Sequence, residues 1–281
     1  MMNQDQFPTI EEIDMLANRI RGSTDLRPKV GMILGSGLGE LADSLETSIS
    51  LPTDELPGWP KSTVEGHAGR LLMGVLEGMP VCVLQGRVHY YEGHPMARIG
   101  LPIRVLQRLG ADTLIVTNAA GGVNPSFEPG DIMLIIDHIN LIGMAGLSPL
   151  RGPNLEEFGP RFPDMSQAYD RQLQALARQV AAREGLALRE GIYICLGGPA
   201  FESPADLRFL RMIGVDAVGM STVPEITVAR HGGMRTLGFS GISNKASLDG
   251  EKLTTHSEVL EAGKRIGPRL ERLIRGVLRG L

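Results

Sequence analysis

Val30-Gly31-Met32-Ile33-Leu34 runs directly into Gly35-Ser36-Gly37-Leu38-Gly39. A run this short and apolar reads as a buried strand, and the glycines as the turn that ends it. The same punctuation recurs along the chain. The β-branched run Thr113 to Thr117 opens onto Asn118-Ala119-Ala120-Gly121-Gly122, and Ile192 to Leu196 opens onto Gly197-Gly198-Pro199-Ala200-Phe201-Glu202-Ser203. Met234 to Ile242 and Asp131 to Ile136 read as further strands. Leu71 to Leu76 and Val81 to Gln85 read as a hairpin about a turn at Glu77-Gly78-Met79-Pro80. Amphipathic segments lie between. Thr9-Ile10-Glu11-Glu12 has the form of a capping box, with Ile13, Leu16, Ala17 and Ile20 forming one apolar face behind it. Met96 to Leu109, Gln167 to Glu184, Ala205 to Ile213 and His256 to Leu278 complete the predicted helices. Strands alternating with helices predict a single α/β domain over residues 1–281, a central mixed β-sheet flanked by helices on both faces.

Composition narrows the function classes. The chain has 281 residues, with 28 basic against 32 acidic side chains and a net charge of -4, which excludes a domain built on nucleic-acid electrostatics. Hydrophobic residues at 42% and charged residues at 21% exclude disorder, and aromatics at 4% make the core aliphatic. Cys82 and Cys195 each sit inside an apolar run and read as buried strand thiols, without the spacing of a disulfide framework. The polar start from Met1 to Thr9 lacks the form of a signal peptide, and no apolar run approaches the roughly 20 residues that span a bilayer. A cytoplasmic protein without membrane contact is expected. Gly143 to Met165 is rich in Gly and Pro and has no periodicity, so a functional loop or an interface element is expected there.

In α/β folds, ligands gather at the carboxyl ends of strands. Five loops occupy such positions. The glycines of Gly35 to Gly39 allow backbone N–H groups to converge on an anion beside the Ser36 hydroxyl, but a plain strand-to-helix turn fits the loop equally well. Gly86-Arg87-Val88-His89-Tyr90-Tyr91, if it continues a strand, turns Arg87, His89 and Tyr91 to one face, where Arg offers a fork of donors to an oxyanion. The small residues of Asn118 to Gly122 admit a ligand close to the backbone. Phe201-Glu202 pairs an aromatic face with a carboxylate, suited to a planar ring with an N–H edge, and equally to the capped start of a helix before Pro204. Ser243-Asn244-Lys245 sets an amide at a strand end. The six histidines show no metal-ligand spacing, and no G-x-S-x-G elbow marks a nucleophilic serine.

Taken in order, Leu34 to Gly39, Glu65-Gly66-His67, Gln85 to Gly93, Thr117 to Gly122, Arg161-Phe162-Pro163, Gly198 to Glu202, Gly219 to Glu225 and Ser243-Asn244-Lys245 resemble the trimeric, low-molecular-mass purine nucleoside phosphorylases. The resemblance implies reversible phosphorolysis of inosine and guanosine-type nucleosides, ribo or deoxyribo. No metal or organic cofactor takes part, inorganic phosphate being a co-substrate. It implies a homotrimer. It places phosphate against Ser36, His67, Arg87, His89, the Ala119 backbone and Ser221, and ribose against Tyr91, Met220 and His256. The base falls against Phe201, Glu202 and Asn244, with Phe162 reaching in from a neighbouring subunit. His89, Glu202 and Asn244 carry the catalytic roles. Ser203 and Ser243 stand where Thr is common and keep the hydroxyl. A methylthioadenosine phosphorylase would carry Asp at position 244. A dinucleotide-binding dehydrogenase rests on the Gly35 turn alone, whose spacing is not G-x-G-x-x-G. A non-catalytic nucleoside-binding module would have no use for the Arg87 and His89 pair.

Overall fold

The computed structural model describes residues 6–35, 39–64, 66–251 and 255–281, without the side chains of Glu40 and His256. Among the described residues there are nine strands: β1 (Val30–Leu34), β2 (Glu46–Pro52), β3 (Arg70–Leu76), β4 (Met79–Gln85), β5 (Thr113–Gly122), β6 (Ile132–Ile139), β7 (Leu188–Cys195), β8 (Ala217–Gly219) and β9 (Arg235–Lys245). The helices are α1 (Ile10–Arg21), α2 (Met96–Ile99), α3 (Leu101–Leu109), α4 (Leu141–Met144), α5 (Arg171–Arg183), α6 (Pro204–Met212), α7 (Val223–His231) and α8 (His256–Leu278). The strand order is β2-β3-β4-β1-β5-β8-β7-β6-β9, and β9 pairs again with β5. The far half of the mixed sheet therefore closes on itself. No helix among the described residues is long and apolar enough to cross a membrane.

The alternation along the central strands explains why they read as unbroken apolar runs. On β1, Ile33 packs with α1, α3 and α7, whereas Val30, Met32 and Leu34 face α5 and α8. Cys82 and Leu84 of β4 and Leu114 and Val116 of β5 join the first layer; Val81, Val83 and Ile115 join the second. Strands covered on both faces carry no polar side to reveal a period of two. Both cysteines are buried strand residues and free.

Several boundaries differ from expectation for identifiable reasons. The hairpin turn is only Glu77-Gly78, with Leu76 opposite Met79. Both turn residues have positive φ, 54° and 77°, as a two-residue hairpin requires. Arg275 and Arg279 of the terminal segment hold the Glu77 carboxylate. Thr9 caps α1 by accepting from the Glu12 N–H at 3.2 Å, but the Glu12 carboxylate pairs with Arg98. The segment 96–109 breaks into α2 and α3 at Gly100, where a Cβ would lie 2.6 Å from Val228 Cγ2. β5 and β9 run on through Asn118 to Gly122 and through Ser243 to Lys245, because the glycines pair with the neighbouring strand instead of turning. α5 starts at Arg171, capped by Asp170.

Gly35 sits where the end of β1 presses on β5. A Cβ there would lie 2.7 Å from the Thr117 carbonyl oxygen and 2.9 Å from the Asn118 Cα, both backbone atoms. Gly35→Ala should cost about 1–3 kcal/mol by forcing β1 and β5 apart. A thermal melt checks this: the expected outcome is a Tm lower by several degrees, and an unchanged Tm would show that the two strand ends have room to separate.

Candidate active site

The strand ends converge on one cavity of about 350 Å³. His67, His89 and Tyr91 line it as one wall and Ala119, Met220 and Ser221 as a floor over Arg87; Phe201, Glu202 and Asn244 complete the lining. Every site residue expected from the sequence therefore lines a single cavity, with three exceptions. Ser36 and the His256 side chain lie outside the described residues. Phe162 is remote from the cavity on the loop 145–170 and 88% exposed. Within that loop Arg161 donates to the Leu150 and Gly152 carbonyls, and the loop is pinned to α7 where Asn154 meets His231.

The wall is built differently from a continued strand. β4 ends at Gln85, and Tyr90 to Glu92 form a 3-10 turn. His89 stacks between His67 and Tyr91, with ring centroids 5.2 and 4.8 Å away. Glu92 orients His89, accepting from its backbone N–H at 2.6 Å and from Nδ1 at 3.2 Å. Burial raises the Glu92 pKa, but hydrogen bonds from His89 and Thr63 outweigh it and bring the carboxyl to about 2. His67 Nδ1 donates to the Arg87 carbonyl at 2.6 Å. Burial, with the neighbouring His89 and Arg87 adding to it, pushes the His67 pKa down to about 4, so the ring is neutral near pH 7. Burial likewise raises the Tyr91 phenol to about 12 and keeps it a donor.

Arg87 does not present its fork to the cavity. Nη1 donates to Ser221 Oγ at 3.1 Å and Thr222 Oγ1 at 2.9 Å, and Nη2 to the Ile33 and Thr117 carbonyls. The buried Glu225 carboxylate lies 3.5 Å from Nη1. The guanidinium acts from beneath the floor, as a fixed positive charge that organises two hydroxyls. Thr222 has φ 74° and ψ -52°, and the Val223 N–H donates to the Ser221 carbonyl at 2.8 Å, closing a three-residue turn. Such a conformation costs about 1–3 kcal/mol at a non-glycine residue. Neither Thr222 nor the Asn118 side chain has a signal of its own in the sequence.

At the far end a bulge aims Asn244. Ala120 pairs with Ile242 but Gly121 with Asn244, leaving Ser243 as an extra residue in β9. The Ser243 hydroxyl has two acceptors in reach, Asn244 Oδ1 at 2.8 Å and the Ala120 carbonyl at 3.2 Å, so it ties the Asn244 side chain to the end of β5. Ser203 caps α6 and exchanges hydrogen bonds with Asp206, which holds the preceding Phe201 and Glu202 at the rim. The helix-start reading of that loop is thus borne out, and Phe201 and Glu202 line the cavity beside it. Burial raises the Glu202 pKa.

The chain belongs to the phosphorylase superfamily, whose family model matches residues 29–279. Within that family its relatives are purine nucleoside phosphorylases. It is 50% identical over 269 residues to purine nucleoside phosphorylase 1 of Geobacillus stearothermophilus, covering 96% of this chain and 97% of that one. It is 51% identical over 270 residues to the Bos taurus purine nucleoside phosphorylase, covering 95% and 93%. The crystal structure of the Schistosoma mansoni purine nucleoside phosphorylase in complex with inosine superposes with a TM-score of 0.94 at 39% identity, over 99% of both chains.

The buried imidazoles set a pH dependence. His67, His138 and His231 are each pushed down from 6.5 to about 4, burial being the first cause in every case. Below pH 6.5 the unfolded chain takes up protons that the folded chain refuses, so stability falls with pH through that window. Melts recorded between pH 6.5 and about 4 should show a steadily falling Tm; a flat or rising Tm would contradict the burial of these rings.

Proposed function

We propose that the chain is a purine nucleoside phosphorylase that acts on 6-oxopurine ribonucleosides and deoxyribonucleosides such as inosine and guanosine. Phosphate attacks C1′ as the bond to purine N9 breaks, giving free base and (deoxy)ribose 1-phosphate, reversibly, as in purine salvage. One observation carries this reading: a single cavity is lined by stacked imidazoles and a hydroxyl held by a buried guanidinium, and also by an aromatic, a carboxylate and an amide. Tyr91 and Met220 line the same cavity.

Ser36, His67, His89, the Ala119 backbone and Ser221 take phosphate, with Arg87 beneath Ser221. Tyr91, Met220 and His256 take ribose. Phosphate is the nucleophile and can itself stabilise the oxocarbenium-like sugar, so the chemistry needs neither a protein nucleophile nor a metal or organic cofactor. Glu202 accepts from N1–H, which hypoxanthine and guanine carry. Asn244 donates to the leaving base as negative charge grows on it. An amide can donate where a carboxylate cannot, and Asn at this position disfavours the methylthioadenosine reading. The two free, buried thiols fit a cytoplasmic setting.

Inosine incubated with and without phosphate tests the activity, hypoxanthine appearing only with it. Asn244→Asp tests the base contact. Aspartate offers only acceptors, so activity on inosine should fall relative to adenosine. A mismatched buried hydrogen bond costs about 1–3 kcal/mol, a shift of roughly 10- to 100-fold in the ratio of kcat/KM values. An unchanged ratio would remove Asn244 from base reading.

We also infer a homotrimer. A pinned loop with an aromatic side chain 88% exposed at Phe162 is suited to completing a neighbour's ribose pocket. Light scattering should give three times the 30.3 kDa chain; a fully active monomer would sink the assembly.

A further inference from the structure

The hydroxyl of Thr222 takes no part in the chemistry above, yet three groups of the floor meet at it. Its oxygen accepts from Arg87 Nη1 at 2.9 Å and from Asn118 Nδ2 at 2.8 Å. A hydroxyl has two lone pairs and one proton. With both lone pairs engaged, the Thr222 proton goes to its remaining neighbour, Ser221 Oγ at 3.3 Å. Ser221 Oγ also accepts from Arg87 Nη1 at 3.1 Å. Its own lone pairs are then both occupied, and its proton is left to point into the cavity that Ser221 lines. Two adjacent hydroxyls and one guanidinium thus produce a donor of fixed polarity, the polarity an anion requires. The main chain is held to the same end. Thr222 is fully buried in a positive-φ turn, and its two accepted hydrogen bonds offset the strain of that conformation.

We propose that Thr222 is a positioning residue of the phosphate subsite: its buried hydroxyl fixes Ser221 as a donor toward the cavity and holds Arg87 beneath it. The assignment rests on the reading of this end of the cavity as the phosphate site. It separates the hydroxyl of Thr222 from its shape. Thr222→Val keeps the β-branched outline and removes the hydroxyl, while Thr222→Ser keeps the hydroxyl.

Steady-state kinetics on the full-length protein test it, with phosphate and inosine varied in turn. For Thr222→Val the phosphate KM should rise about 10-fold or more, the scale of a lost hydrogen bond to a charged ligand, while the inosine KM changes by no more than about twofold. Thr222→Ser should return the phosphate KM close to the parent value. A parental phosphate KM in the Val variant, or a Ser variant as impaired as Val, would overturn the proposal. If the Val variant does not fold, the rise in Tm on adding phosphate is compared for Thr222→Ala, Thr222→Ser and the parent; a full rise in the Ala variant overturns it equally. Ser221→Ala distinguishes the underlying reading: if its phosphate KM is also parental, the phosphate site lies elsewhere.

Discussion

A guanidinium removed from water must find partners for its donors, or the desolvation cost falls on the fold. Arg87 finds them for both terminal nitrogens, though not for Nε, in separate parts of the chain. It leaves the end of β4 and reaches a carbonyl at the end of β1, another on β5, two hydroxyls at the junction of β8 and α7, and the carboxylate of Glu225 in the first turn of α7. One side chain thus ties together four elements whose ends form the cavity floor. The choice of α7 follows from the same requirement. A buried cation calls for a buried anion, and Glu225 supplies one without exposing either charge.

The sheet makes this convergence possible. β5 is ten residues long and serves two neighbourhoods. Its first half pairs with β1 on one side and β9 on the other, in parallel, and its last residues pair with β8 running the opposite way. The chain beyond β8 therefore passes back over the end of β5, which brings Met220, Ser221 and Thr222 against Ala119 and Ala120. A purely parallel sheet would splay these ends apart. The closure of the far strands folds them inward.

The architecture was legible because its strands are apolar and end in glycine, and its amphipathic helices show a clean face, as α1 does with Ile13, Leu16, Ala17 and Ile20. α7 was not legible for the opposite reason: it is buried all round from Val223 to Ala229, and has no polar face to set a period. β8, three residues long, falls below what any pattern can mark. The lining residues were legible from ordered motifs, since short-range spacing carries them. The orientation of Arg87 and the hub at Thr222 were not, because both depend on partners more than one hundred positions away. Glycine misled at Gly121 and Gly122. In sequence they mark a turn, whereas in the sheet they leave space for Asn244 and Ile242 beside them.

The bulge at Ser243 makes the two ends of the cavity unlike as materials. The Arg87 end is cross-braced: its side chains bond to one another and to the backbone of several elements, so a change at any one disturbs the rest. The Asn244 end hangs on one extra residue near a strand terminus and on the rim loop ahead of α6. Substitution there re-aims an amide or a carboxylate without disturbing the brace. Over evolutionary time, the Asn244 side of the cavity can therefore drift while the Arg87 side stays fixed. On the proposed function, a lineage built on this frame can change which ring it accepts far more readily than how it breaks the bond.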